Sequence, residues 1–234
     1  MLPSVALNSL RHDPLFFVSM ISPIQRGSAR LICADERGIL LEELQSGAIM
    51  LHAHGLDEGK ELLDSINSAA LVLLHQHYLV PYAQERYRLN YLHSCVNAVY
   101  FAKELLAHNH TLQISPLGAE DFDQIWEHYH SLVDAAYLRG RLLAGEVFGG
   151  YAEGSLVGFV GCHAEGSIGL LEVLPQYRRL GYGRALTAFM TNRLLTAEML
   201  PFSQLVPTNQ ASMALHHNLG FTIDTREVYW LFNV

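Results

Sequence analysis

The pattern of apolar and polar positions changes period several times along the chain. Apolar runs at Ala29–Cys33 and Gly38–Leu44 read as short strands joined by the turn Asp35-Glu36-Arg37-Gly38, and Ala48–Ala53 offers a third. Leu62, Leu63 and Ile66 fall on one face of a helix over Asp57–Asn67. The run Ala70–Leu74 predicts a buried strand, Tyr82–Leu92 a helix and Cys95–Phe101 another strand. Polar residues at His108–Thr111 then separate two patterned blocks, which sets the expected division at 1–111 and 112–234.

The second block opens on Leu112–Leu117. A helix follows, whose start at Gly118-Ala119-Glu120-Asp121 puts acidic residues where the helix dipole favours them. Phe122, Ile125, Trp126 and Tyr129 come next at helical spacing, and the aromatic positions read as core rather than as a substrate box. Glu146–Ala152 and Leu156–Cys162 are predicted strands around the turn Glu153-Gly154-Ser155. An apolar strand at Gly169–Leu174, a helix at Arg184–Leu195 and a strand at Ser203–Val206 follow. Asn209–Asn218 reads as a helix stopped by Gly220, and Glu227–Phe232 as the last strand. This order predicts an α/β (α+β) fold, a mixed sheet with helices against it, preceded by a smaller mixed α/β N-terminal domain that carries no chemical motif.

Composition narrows the classes. Of 234 residues, 50% are hydrophobic and 16% charged, which excludes a disordered chain. A formal charge of −8, with Lys60 and Lys103 the only lysines, argues against general nucleic-acid binding. A negative surface suits a cationic acceptor such as an amine, and local arginines can still hold an anion. Cys33, Cys95 and Cys162 are odd in number and form no CxxC pair, as expected of reduced thiols in a cytoplasmic protein. The apolar run Leu15–Ile24 is short, is broken by Pro23 and lacks a basic lead-in, so neither a membrane span nor a signal peptide is expected.

The segment Leu171-Glu172-Val173-Leu174-Pro175-Gln176-Tyr177-Arg178-Arg179-Leu180-Gly181-Tyr182-Gly183-Arg184 carries most of the chemistry. A strand runs into a turn that opens a helix, and Gly181 and Gly183 let the backbone approach a ligand and aim its N–H groups at it. The helix N-terminus adds orphan donors and a positive dipole end, and Arg178, Arg179 and Arg184 add charge, which together suit a pyrophosphate. No Gly-Lys-Ser/Thr ending is present, and Leu186 stands where a dinucleotide fingerprint needs its third small residue.

Arg178-x-x-Gly181-x-Gly183 resembles the Arg/Gln-x-x-Gly-x-Gly/Ala signature of the GNAT N-acetyltransferase superfamily. Asn209-Gln210-Ala211-Ser212-Met213-Ala214-Leu215-His216-His217-Asn218-Leu219-Gly220-Phe221 is similar to that family's Asn-x-x-Ala/Ser-x-x-Leu-Tyr-x-x-Leu-Gly-Phe segment, and follows at the right remove. The resemblance spans the C-terminal half. It implies a mostly antiparallel sheet flanked by helices, and transfer of an acetyl (acyl) group from acetyl-CoA, as co-substrate, to a primary amine of a small molecule, amino acid or protein. By that resemblance Leu171, Glu172 and Val173 bond the pantetheine arm, and Arg178, Arg179, Leu180, Gly181, Tyr182, Gly183 and Arg184 surround the pyrophosphate, with Asn209 helping to place the cofactor.

Acid and base are less firmly placed. His216 stands where the family has its tyrosine acid, and either donates the proton to the leaving thiolate or goes unused. Glu172 is the candidate base, with His163 and Glu165 behind it; Gln204 cannot act as one. The His-x-His pairs His52/His54, His75/His77, His108/His110 and His128/His130 lack a third ligand at family-like spacing, so no metal is expected. The alternative function is a catalytically weak acyl-CoA-binding module with a regulatory or interaction role. The N-terminal half, read as a degenerate copy of the same fold without the glycine loop, either walls the acceptor site or forms a homodimer surface.

Overall fold

The computed structural model describes residues 2–107, 112–129 and 134–233, so the expected division at His108–Thr111 lies outside the described residues, as do His108, His110 and His130 of the histidine pairs. The chain forms two compact units. Met1–Ala98, Leu205–Asn209 and Ile223–Val234 make the first; Val99–Gln204 and Gln210–Thr222 make the second. No helix of the described residues is long and apolar enough to cross a membrane.

The first unit begins with two helices that the sequence reading did not identify, α1 (Leu2–Leu10) and α2 (Pro14–Gln25). Their signal was present: Asp13 accepts the Phe16 N–H at 3.2 Å and Pro14 fills the first helical turn. Strands β1 (Ala29–Asp35), β2 (Gly38–Glu43) and β3 (Ala48–Ala53) follow, then α3 (Leu56–Asp64), β4 (Leu71–Leu74), α4 (Val80–Tyr87) and β5 (Tyr91–Val99). Helix α4 stops short of the predicted Leu92 because Arg88 turns left-handed (φ 57°), which releases Tyr91 into β5. The last strand of the chain, β11 (Thr222–Phe232), lies between β4 and β5, so the unit's strands run β1-β2-β3-β4-β11-β5.

Both faces of that sheet are covered, and the alternation along β2 to β4 sorts the core. Leu40, Leu51, Val72 and Leu74 meet α3 and α4 residues such as Leu62 and Ala83, whereas Leu41, Met50 and Leu73 meet Leu10 and Met20 of the first helices.

The second unit repeats the order. Strand β6 (Gln113–Pro116) leads into α5 (Phe122–His128) and α6 (Ala135–Leu143), then β7 (Val147–Ala152), β8 (Ser155–Cys162), β9 (Ile168–Val173), α7 (Tyr182–Thr196), β10 (Phe202–Leu205) and α8 (Gln210–Asn218). Helix pair, three strands, helix, strand, helix, strand: both halves of the chain follow this sequence. The sheet β6-β7-β8-β9 is antiparallel throughout. Glu153 (φ 49°) and Gly154 (φ 79°) make the two-residue hairpin turn with both residues left-handed. Phe122, Ile125, Leu138 and Leu142 bury against Phe159 and Leu170 on one face. Trp126 departs from its expected core position: it is 40% exposed and stacked on Phe122 at 5.7 Å. Helix α7 covers the other face, where Gly150 and Gly158 leave room for Leu186.

Candidate functional site

Strand β9 ends its sheet, and no strand of the described residues bonds its outer edge. Its register against β8 slips: Phe159 faces Glu172 but Gly161 faces Gly169, so β9 carries one residue more than its partner. Leu170 takes up that excess at φ 48°, the geometry of a bulge that bends the strand and re-aims its backbone groups. An unpaired, bent edge over Leu171–Val173 is a place where an extended ligand can add as a further strand. The corresponding pair in the first unit is closed. There β3 and β4 bond in parallel from Ile49↔Val72 to Leu51↔Leu74. The seam continues through His75 N–H to Leu51 O at 3.2 Å and Ala53 N–H to Gln76 Oε1 at 3.1 Å.

Beyond β9, a 3-10 turn at Pro175–Tyr177 delivers the chain to the glycine loop. Arg179 (φ 66°) and Gly181 (φ 86°) are both left-handed, and for the arginine this costs about 1–2 kcal/mol. Gly181 is the N-cap of the fifteen-residue α7, with no side-chain cap. The first intrahelical bond is Ala185 N–H to Gly181 O at 3.1 Å, so the amides of Tyr182, Gly183 and Arg184 come before it. A Cβ at Gly181 would meet nothing within 4 Å, and one at Gly183 would only touch Val173 and Leu215. Donors, dipole and open space coincide here, as an anion requires.

The three arginines divide their labour. Arg178 donates from Nη2 to Glu172 Oε1 at 2.9 Å and from Nε to Val173 O at 3.0 Å, fastening the loop to the end of β9. Glu172, the base candidate of the sequence, is thus paired with Arg178 through Oε1. Arg184 donates to Asn218 O at 2.9 Å and so caps α8. Arg179 and Leu180 are exposed. Asn209 stands just before α8 and donates its N–H to Val206 O at 2.9 Å.

His216, on α8, is 3% exposed. Its Nδ1 lies 2.9 Å from Ser212 O, which can only accept, so Nδ1 carries the proton. Nε2 lies 2.8 Å from Ser203 Oγ and, in the neutral ring, accepts from that hydroxyl. Burial lowers the pKa of the ring, opposed by the Ser212 carbonyl, and so favours this neutral form. Both ring nitrogens are thus engaged by partners within the fold. Ser203 was not among the sequence candidates; nothing local links it to His216 thirteen residues on.

Among the described residues no group of three or more His, Cys, Asp or Glu side chains is placed to hold a metal ion, and none of Cys33, Cys95 and Cys162 forms a disulfide. A recess in the first unit, lined by Ile32, Cys33, Asp35, Arg37 and Leu62, offers no net charge to a diphosphate, because Arg37 closes on Asp35 at 2.8 Å.

The family model for FR47-like protein matches residues 148–231, which include β9, the glycine loop, α7 and α8. A search of curated protein sequences finds no significant match. A crystallised Drosophila protein, 17% identical, is similar over 98% of this chain and 87% of its own with a TM-score of 0.66. A GCN5-related N-acetyltransferase from Kribbella flavida is 13% identical over 93% of this chain and 95% of its own, with a TM-score of 0.60. A GCN5-related N-acetyltransferase-like protein from Streptococcus suis is 13% identical over 97% of this chain and 99% of its own, with a TM-score of 0.56. These likenesses run through both halves, so the GNAT type of fold is not confined to the second. Residues 148–231 thus match the model of FR47-like protein, and the chain has the fold of these GCN5-related N-acetyltransferases.

Proposed function

We propose that the second unit binds acetyl-CoA and transfers its acyl group to a primary amine of a small molecule, amino acid or protein, by direct attack in a ternary complex. The observation that carries this reading is the uncapped α7 N-terminus behind two left-handed residues, beside a bulged strand edge that no strand occupies. Amides from Arg179 to Arg184 receive the diphosphate, with the Arg179 side chain as its mobile counter-charge. The backbone of Leu171–Val173 receives the pantetheine arm. Glu172 acts by holding Arg178, and through it the loop, rather than by accepting a proton. His216 holds α8 to β10 through Ser203, and the thiolate takes its proton from water, which is adequate for a leaving group whose conjugate acid has a pKa near ~8.5. Cysteines without a disulfide and a net charge of −8 fit a cytoplasmic enzyme.

A second reading, an acyl-CoA-binding module of little activity, draws support from the commitment of Glu172 and His216 to structural partners. Thiol release from acetyl-CoA with a panel of primary amines separates the two. Turnover with any amine supports the enzyme; CoA binding without turnover supports the module. Calorimetric titration with CoA should give one site per chain, since the β3–β4 seam leaves no slot in the first unit. Two sites per chain would contradict that account.

A further inference from the structure

His163 lies in the turn between β8 and β9. Its Nδ1 is 3.0 Å from the Tyr137 hydroxyl of α6, and the two rings stack with centroids 5.9 Å apart. That hydroxyl also accepts the Ala164 N–H at 3.1 Å. The imidazole rests across Gly169, where a Cβ would stand 2.4 Å from Nε2, so glycine at this position is what admits the ring. Gly169 immediately precedes Leu170, the left-handed residue of the β9 bulge. The ring thus covers the strand where its backbone is re-aimed, upstream of the edge assigned to the pantetheine arm. None of the described residues bonds Nε2.

We propose that His163, steadied by Tyr137, is the base that takes a proton from the acceptor ammonium; the assignment rests on the acyl-transfer reading above. In the working tautomer Nδ1–H donates to the Tyr137 oxygen and Nε2 presents its lone pair. The ammonium gives one proton to Nε2, and the imidazolium keeps its Nδ1–H bond to the hydroxyl. The freed amine pair forms the C–N bond at the thioester carbon while the carbonyl π pair moves to oxygen. Collapse re-forms C=O and breaks C–S; the nitrogen's second proton leaves to water, and the thiolate gains one from water. The product is an amide, free CoA thiol and one net proton, which the imidazolium returns to solvent.

Three groups face the ring. Tyr137 stays protonated, because burial pushes its hydroxyl well above the usual range. Glu165, buried in the same turn and accepting from the Ser167 hydroxyl, favours the charged ring. Arg141 of α6, whose Nε donates to Cys162 O at 2.8 Å, disfavours it. Burial outweighs both and lowers the pKa of His163, so the ring is neutral and ready to accept near pH 7.

The test is the pH dependence of kcat/KM for thiol release with the best primary amine of the panel. His163→Gln should lower kcat/KM about 10²–10⁴-fold and erase the acidic limb, while CoA raises its Tm as in the native protein. Tyr137→Phe, which keeps the ring packing, should shift that limb. A His163→Gln enzyme that retains the limb overturns the assignment and leaves acyl transfer standing. If His163→Gln no longer binds CoA, Tyr137→Phe decides, and an unmoved limb overturns the assignment. A native protein that binds CoA but acylates no amine overturns the transferase reading, and the base with it.

Discussion

Gly181 offers a perturbation in which folding and binding can be told apart. Its left-handed backbone (φ 86°) penalises a Cβ-bearing residue, yet the space a Cβ would enter is open, with no atom within 4 Å. Alanine should therefore destabilise the protein by about 1–2 kcal/mol through backbone strain alone. Asparagine tolerates this region and should cost less. Both place side-chain atoms before the α7 N-terminus, where the diphosphate is assigned. Loss of one hydrogen bond to a charged group is worth about 1.5–3 kcal/mol, or a CoA affinity lower by roughly 10- to 150-fold. The assay is thermal unfolding with and without CoA. At a hundred times Kd the native protein should gain about 2.7 kcal/mol, a Tm rise of about 5–11 °C for a chain of this size. The ligand-free Tm of Gly181→Ala should fall by about 2–8 °C and that of Gly181→Asn by less, whereas both should lose about half or more of the CoA-induced rise at that concentration. A Gly181→Asn protein that gains as much from CoA as the native one would refute the placement of the diphosphate.

Two further outcomes follow from buried rings. Burial and the neighbouring His52 push His75 down to about 3, partly opposed by the Leu51 and Phe16 carbonyls; burial pushes His52 down to about 4. Both are neutral when folded and take up protons on unfolding, so their contribution is complete above the unfolded value of ~6.5 and is lost as pH falls toward the folded values. For His75 the loss between pH 7 and pH 5 is roughly 2 kcal/mol, and His75→Leu should flatten the Tm–pH curve of the protein over that range; an unchanged slope would contradict the assignment. Ser203→Ala leaves His216 Nε2 a buried acceptor without its donor, and should lower stability by about 1–3 kcal/mol in denaturant titration; an unchanged midpoint would show that the bond contributes nothing.

The alternation at β2 to β4 and β7 to β9 was legible because strand period and burial coincide there: each apolar run is a strand covered on both faces. The glycine loop was legible too, since Gly181 and the helix after it are local properties of consecutive residues. What the chain could not disclose by itself were meetings between distant residues. Glu172 and Arg178 were both candidates, but only the fold shows that they pair. His216 with Ser203, and His163 with Tyr137 across twenty-six residues, are set by how α8 and α6 pack on their strands. The helices α1 and α2 went unread although Asp13-Pro14 announced the second. Local sequence thus determined the strands, the turn at Glu153-Gly154 and the glycine-led start of α7, because each depends only on period, φ preference and neighbouring side chains. Tertiary structure alone decided that β3 zips to β4 while β9 stays an open, bulged edge, because strand pairing joins backbone groups that are chemically alike in every residue and only long-range packing selects which of them meet.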